Sequence, residues 1–344
     1  MIRTLVVDDS PLVRAIIKDF LESDDSFLIV GESENGEDSI KKARELDPDL
    51  ITMDIEMPVM NGLDAIVEIK KNPAAAAIIV ITTIDTAKMA YDATVRGAAE
   101  FFAKDLFTSQ MSEEKRDKII KTIKHIVSVR EKAAARQEAQ SGARGGGGEN
   151  AQLTPRQIKV VVIAASTGGP NMLSQLCDAL PENFPVPIVL VQHNLSGFDR
   201  GFVQWLDGYT PLNVCLAEEG MIPEKGRLYV APTDKHLLLD KKGFIFDDGE
   251  PISNQKPAAD LLFKSAADLY GEAVVSVVLT GMGSDGAEGT RYIKNAGGIT
   301  IAQDEATSMV YGMPQAAAET GCIDMVLPMG KIAGQLLFFS KVNK

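Results

Sequence analysis

Cysteine is scarce in this chain of 344 residues. The three present, Cys177, Cys215 and Cys322, are widely spaced and form no C-x-x-C pair. Such a set excludes a disulfide framework and a zinc site, and it points to a reducing compartment. Long apolar runs are also missing. No stretch approaches the roughly 20 apolar residues needed to span a bilayer. Asp8 and Asp9 break the first apolar run, so the start of the chain does not read as a secretory signal. The expected location is the cytoplasm, with no membrane insertion. Basic charge is short too: 35 Lys and Arg stand against 48 Asp and Glu, a net charge of −13. Residues 1–126 carry 24 acidic and 16 basic residues, and residues 158–344 carry 21 and 14. With both halves acidic and no basic stripe, nucleic acid and anionic membrane surfaces are excluded as partners. There is no short-period repeat. Histidine is limited to His125, His193 and His236.

What is present is an ordinary globular composition, 45% hydrophobic and 24% charged. The length favours two domains. Residues 1–126 alternate apolar runs with helical patterns. Strands are expected at Thr4–Val7, Phe27–Val30, Leu50–Met53, Ile78–Ile81 and Glu100–Ala103. A recurrence about every 25 residues is that of βα units in a parallel sheet. The first helix is expected to start at Ser10-Pro11 and to bury Val13, Ile16, Ile17 and Phe20. The last should start near Ser112 and bury Ile119, Ile120, Ile123, Ile126 and Val127. Residues 127–155 read as a linker: a helical extension over Glu131–Ala139, then a stretch containing Gly145–Gly148. Residues 156–344 read as a second doubly wound α/β domain. Its strands are expected at Lys159–Ala164, Pro187–Val191, Asn213–Ala217, Arg227–Val230, His236–Leu239, Ala273–Leu279, Gly298–Ala302 and Asp324–Leu327. Within Arg227–Asp247, Pro-Thr-Asp and Lys-Lys-Gly read as hairpin turns, a β-hairpin excursion from the sheet.

Ligands of doubly wound sheets bind beyond the carboxyl ends of the strands. In the first domain those ends carry Asp8 and Asp9, Asp54, Thr82 and Lys104. Three clustered carboxylates repel one another, and Mg²⁺ with oxygen ligands is the natural neutraliser. A carboxylate beside Mg²⁺ and a lysine can attack a phosphoryl group and become an acyl phosphate. In the second domain Ser166 follows VVVIAA, His193 ends IVLVQ and Asp285 follows VVSVVL. A serine hydroxyl needs a base to take its proton, and a carboxylate to orient that base. The order Ser, His, Asp differs from that of the α/β-hydrolases, and Ala164 stands where a G-x-S-x-G elbow would have its first glycine. Gly168 and Gly169 stand where a helix should begin, which offers backbone donors to a developing oxyanion. His125, between buried isoleucines, and His236, in a turn, read as structural.

Over residues 1–126 the segments VVDDS, MDIEMPVMNGLDA, IIVIT and FFAKD resemble the response-regulator receiver family. The resemblance implies that Asp54 accepts the phosphoryl group. Mg²⁺ would sit on Asp8, Asp9, Asp54 and the carbonyl of Glu56, with Thr82, Phe101 and Lys104 forming the switch. The family usually has Lys-Pro after the fifth strand, and here Asp105 follows Lys104. Over nearly all of residues 158–344, AASTGGP, IVLVQHN, GFDRGFVQWL, GRLYVAPTDKHLLL, LTGMGSDGAEG and DEATSMVYGMPQAAAETG resemble the CheB receptor-methylesterase family of bacterial chemotaxis. That resemblance implies a Ser166–His193–Asp285 triad, with the Met282 amide and the Thr167 hydroxyl as oxyanion donors. The implied reactions are hydrolysis of glutamate γ-methyl esters on chemoreceptors and deamidation of certain glutamines, without a cofactor for the hydrolysis. The implied partners are methyl-accepting chemoreceptors and a chemotaxis histidine kinase, and the implied state is a monomer. Many relatives carry Asn-Arg-His-Arg-Pro where this chain has Ser253–Pro257. Two alternatives stay open: a non-catalytic regulator that competes for phosphate, and an esterase of the same mechanism acting on another methylated signalling protein.

Overall fold

The computed structural model describes residues 1–72, 75–108, 111–139 and 157–343. It forms two compact units, Met1–Gly145 and Gly146–Lys344. The expected Gly145–Gly148 stretch lies outside the described residues.

In the first unit every strand is followed by a helix. The elements are β1 (Ile2–Val7), α1 (Pro11–Glu22), β2 (Phe27–Ser33), α2 (Gly36–Leu46), β3 (Leu50–Met53), α3 (Gly62–Lys70), β4 (Ala77–Thr82), α4 (Ala87–Val95), β5 (Glu100–Ala103) and α5 (Glu113–Ala139). Strand order is β2-β1-β3-β4-β5, with parallel neighbours throughout. The buried runs Leu5–Val7, Leu50–Met53 and Ala77–Thr82 are covered on both faces, as parallel strands require. β2 extends beyond the expected Val30 because its residues through Ser33 pair with β1.

Helix α1 starts where expected. The Ser10 side chain accepts from the Val13 amide, and Pro11 occupies the first turn. Its buried face needs one correction. Ile17, Phe20 and Leu21 are buried, whereas Ile16 is 37% exposed. The stripe Val13, Ile17, Phe20, Leu21 follows the i, i+4, i+7, i+8 spacing of one helix face, and Ile16 falls beside it. The expected stripe of α5 is buried at all five positions. The helix runs on through the anticipated extension to Ala139.

The second unit contains β6 (Val160–Ala165), α6 (Gly169–Asp178), β7 (Ile188–Gln192), α7 (Asp199–Asp207), β8 (Asn213–Leu216), β9 (Arg227–Val230), β10 (His236–Asp240) and β11 (Gly243–Asp247). It continues with α8 (Ala259–Tyr270), β12 (Val274–Val278), α9 (Ala287–Asn295), β13 (Ile299–Gln303), α10 (Met313–Glu319), β14 (Met325–Leu327) and α11 (Met329–Phe339). Seven strands form a parallel sheet in the order β14-β13-β12-β6-β7-β9-β8. The expected hairpin excursion is the antiparallel pair β10–β11. The turn expected at Pro232–Asp234 is not a hairpin, because β9 pairs in parallel with β7 and β8. Its Leu228, Tyr229 and Val230 are wholly buried, and an all-apolar run of this kind belongs inside a sheet. Among the described residues no helix is long and apolar enough to cross a membrane.

The face of α1 can be tested directly. Ile17→Ala should cost the first unit about 2–5 kcal/mol, the range for truncating a buried isoleucine. Ile16→Ala should cost clearly less. Equal losses in denaturant titrations of the two variants would contradict the assigned face.

Candidate active site

Strand register assembles two clusters, one in each unit. In the first sheet Val7 lies opposite Met53, so Asp8 and Asp54 emerge side by side. Thr82 lies opposite Ala103, which puts Lys104 next to it at the same edge. One carboxylate oxygen from each of Asp8, Asp9 and Asp54 falls within 4.8 Å of the others. The Lys104 ammonium sits 2.8 Å from both Asp8 and Asp54. Asp105 in place of proline leaves Lys104 in the pocket, where Lys104–Leu106 form a single 3₁₀ turn. Asp54 also accepts from the Ile55 amide at 2.8 Å. Burial, opposed by the Lys104 hydrogen bond and helped by the neighbouring Asp8 charge, pushes the Asp54 carboxyl up to about 6. Three converging oxygens, two of them buried, fit a hard divalent cation. The hydroxyl of Thr82 pairs with that of Thr86 at 2.5 Å. Phe101 is buried and packs edge-on against Tyr91 at 4.8 Å. Glu56 is exposed in the loop after β3.

In the second sheet β6 is the hinge of the topology. Ala164 lies opposite Val278 of β12, and Ala165 opposite Gln192 of β7. Ser166, His193 and the loop carrying Asp285 therefore leave one edge from three adjacent strands. His193 Nε2 is 2.8 Å from Asp285 Oδ2. A carboxylate can only accept here, so Nε2 carries the hydrogen and Nδ1 is left as the basic nitrogen. That Nδ1 is buried and, among the described residues, has no hydrogen-bond partner. The Ser166 carbonyl accepts from the Gly169 amide at 2.7 Å and from Gln192 Nε2 at 3.1 Å. The Ser166 amide donates to the Thr280 carbonyl at 3.0 Å. These bonds hold the serine backbone in a tight turn before α6. No hydrogen bond joins the Ser166 hydroxyl to the His193 ring.

The loop after β12 is stitched to a second loop. Gly281 donates to the Val310 carbonyl, and its own carbonyl accepts from Gly312 and Met313. A Cβ at Gly281 would lie 2.8 Å from Ser166 Cβ and 2.3 Å from Met313 Sδ. Glycine here lets the Met282 segment approach the serine closely. Thr167 is buried, and its carbonyl accepts from the Thr280 hydroxyl. His236 lies in the β10–β11 pair, where Nδ1 accepts from the Ala258 amide and Nε2 reaches the Glu250 carbonyl. It is wholly buried and structural, as expected. His125 is half-buried on α5. The Lys256 ammonium is used locally, on the Asp248 carbonyl.

The CheB methylesterase family model matches residues 161–336, and the response regulator receiver domain matches residues 4–115. A protein-glutamate methylesterase/protein-glutamine glutaminase of Pyrococcus abyssi is 40% identical over 342 residues, covering 96% of this chain and 91% of that protein. The chain belongs to the CheB methylesterase family. A relative of the same description from Thermotoga maritima is 36% identical, with 98% of each chain covered. The crystal structure of the Thermotoga maritima CheB methylesterase catalytic domain is 41% identical with a TM-score of 0.52, and it covers 53% of this chain and 98% of that one.

Two members of the site escaped the sequence reading. Gln192 precedes the expected histidine, and its only signal was a polar residue ending a buried strand. Asp260 sits in the first turn of α8, where an acidic residue is normally read as favourable to the helix dipole.

The Asp54 environment has a measurable consequence. Its folded value of about 6 lies above the ordinary aspartate value of 3.8. The corresponding stability is therefore fully present below about pH 4 and is lost as pH rises through about 6. Asp54→Asn should stabilise the first unit at pH 7 in metal-free buffer, on the order of 2 kcal/mol. Carbon-detected titration of Asp54 should give a midpoint near 6, and a midpoint near 4 would contradict the burial argument.

Proposed function

We propose that this protein hydrolyses glutamate γ-methyl esters on methyl-accepting chemoreceptors and deamidates certain receptor glutamines, under control of phosphorylation at Asp54. The observation that carries the proposal is the His193–Asp285 hydrogen bond. It leaves a buried, unpartnered Nδ1 at the sheet edge from which Ser166 emerges.

In this reading His193 Nδ1 takes the Ser166 proton as Oγ attacks the ester carbonyl carbon. The carbonyl π pair moves to oxygen, where the Met282 amide and the Thr167 hydroxyl stabilise the charge. Collapse of this intermediate breaks the bond to methoxide. His193 returns the proton, methanol leaves, and an acyl-serine remains. A water deprotonated by Nδ1 then attacks the acyl carbon, releasing the glutamate carboxylate and restoring Ser166. For a glutamine the leaving group is ammonia. Asp285 holds the ring and stabilises the imidazolium in both halves. In the first domain Asp8, Asp9, Asp54 and the Glu56 carbonyl would hold Mg²⁺, which would neutralise charge on the incoming phosphoryl group. The Asp54 carboxylate attacks phosphorus as the bond from phosphorus to the kinase's histidine nitrogen breaks, and that imidazole leaves. Lys104 then pairs with the new phosphate, and Thr82 leaves Thr86 to hydrogen-bond it. Phe101 follows that movement, and esterase activity rises. The donor is a chemotaxis histidine kinase, and the protein acts as a cytoplasmic monomer.

Methanol release from methylated chemoreceptor membranes tests this reading. Wild type should release methanol faster with a small phosphodonor and Mg²⁺, and Asp54→Ala should keep the basal rate without the rise. Ser166→Ala should lose at least 10³-fold in kcat. Release by Ser166→Ala at the wild-type rate would remove the proposed nucleophile, and equal rates for wild type and Asp54→Ala with phosphodonor would remove the control.

A further inference from the structure

Two helices beside the site begin without a capping side chain of their own. Helix α8 starts after Ala258 and α9 after Gly286, and neither residue makes a side-chain cap bond. The first N–H groups of a helix need acceptors. Here each helix takes them from the other. Asp285, just before α9, accepts from Ala259 at 2.7 Å and from Asp260 at 3.0 Å, the first two amides of α8. Asp260, in the first turn of α8, accepts from Gly286 at 2.9 Å and Gly289 at 2.7 Å, at the start of α9. The Gly286 amide is shared, with Asp285 Oδ1 at 3.0 Å as well.

The helices must lie close together for this exchange. A Cβ at Gly289 would come 2.7 Å from Phe263 Cβ and 3.0 Å from Asp260 Cα, so glycine makes the approach possible. Upstream, buried His236 holds the Ala258 amide and fixes the entry to α8. Asp285 Oδ2 is thus bonded at once to the α8 amide of Ala259 and to His193 Nε2. Any drift of α8 against α9 moves the oxygen that orients the base.

We propose that Asp260 is a positioning residue for hydrolysis: by capping α9 while Asp285 caps α8, it locks the carboxylate that orients His193. This rests on the reading of Ser166, His193 and Asp285 as the triad. Asp260 makes no bond to His193 and acts through Asp285. Burial lifts its carboxyl to about 6, opposed by the Gly289 and Gly286 amide bonds and helped by the Asp285 and Glu288 charges. Its ionised form is thus costly where it stands, and the value of the side chain lies in the oxygen acceptor it offers. Asparagine offers the same acceptor without the charge.

The test uses the full chain with phosphodonor and Mg²⁺, well below the melting temperature of each variant, with methanol release followed across substrate concentration and pH. Asp260→Ala should lower kcat roughly 10- to 100-fold with KM unchanged, the scale of an ångström-level misplacement. It should also shift the acid limb of the kcat profile. Asp260→Asn should restore most of kcat and return that limb toward wild type. A helix cap with a merely structural role would lower the melting temperature of Asp260→Ala and leave kcat of the folded protein unchanged, which would overturn the proposal. Equal losses in Asp260→Ala and Asp260→Asn would overturn it too, because the charge and not the acceptor would then matter. Should Asp260→Ala not fold, Asp260→Ser gives the same comparison: an intermediate kcat supports the clamp and a wild-type kcat refutes it. Ser166→Ala, run alongside, separates the two readings. Its activity must vanish if the triad is right, whatever Asp260 does.

Discussion

The hydrogen bond between His193 Nε2 and Asp285 Oδ2 is the contact on which the catalytic domain turns. It joins the end of one strand to a loop after another strand, with β6 between them in the sheet. It forms only if β6, β7 and β12 keep their register, because a shift of one residue would turn each side chain to the opposite face. The runs that hold that register are buried along their whole length: Val160–Ala165, Ile188–Gln192 and Val274–Val278. Burial on both faces makes them insensitive to the alternation that guides half-exposed strands. The loops beyond them must therefore supply the remaining precision. Gln192 fixes the Ser166 carbonyl, Thr280 fixes the Thr167 carbonyl, and α8 and α9 fix Asp285.

The first domain uses the same architectural opportunity for different chemistry. Both sheets place polar residues where the strand order reverses, at the crevice beyond the carboxyl ends. In the first sheet the reversal lies at β1 and β3, which carry Asp8 and Asp54. In the second it lies around β6, which leads into Ser166. A carboxylate-rich edge favours cation and phosphoryl chemistry, and a Ser-His-Asp edge favours acyl transfer. The topology offers the place and the side chains choose the reaction.

Strand ends were legible in the sequence because a buried parallel strand is a run of Val, Ile and Leu that stops abruptly at a polar residue. Asp54, Lys104, Ser166 and His193 were all found in this way. The same signal misled at Pro232–Asp234. A short apolar run bounded by turn residues reads equally well as a hairpin arm or an inner strand, and only pairing with β7 and β8 decides. Ile16 was misjudged because Val13, Ile16, Ile17 and Phe20 and the observed stripe differ by a small rotation about the helix axis. Asp260 was invisible for a deeper reason. Its partners are backbone amides of a helix more than twenty residues away, and a backbone amide leaves no trace in residue identity.

Two of the buried aspartates, Asp54 and Asp285, also show opposite uses of the same group. Asp285 accepts from His193 and from the amides of Ala259, Asp260 and Gly286. Neutral amides around a carboxylate fix its orientation, which is what an orienting residue needs. Asp54 instead faces the Asp8 carboxylate and shares one ammonium with it. Burial and that neighbouring charge raise the cost of its ionised form, which is why its carboxyl sits near 6. A carboxylate in such a pocket is poorly matched to its surroundings until further positive charge arrives. The pocket therefore favours a divalent cation, which would balance that charge. One aspartate is held still by its donors, and the other is left short of them.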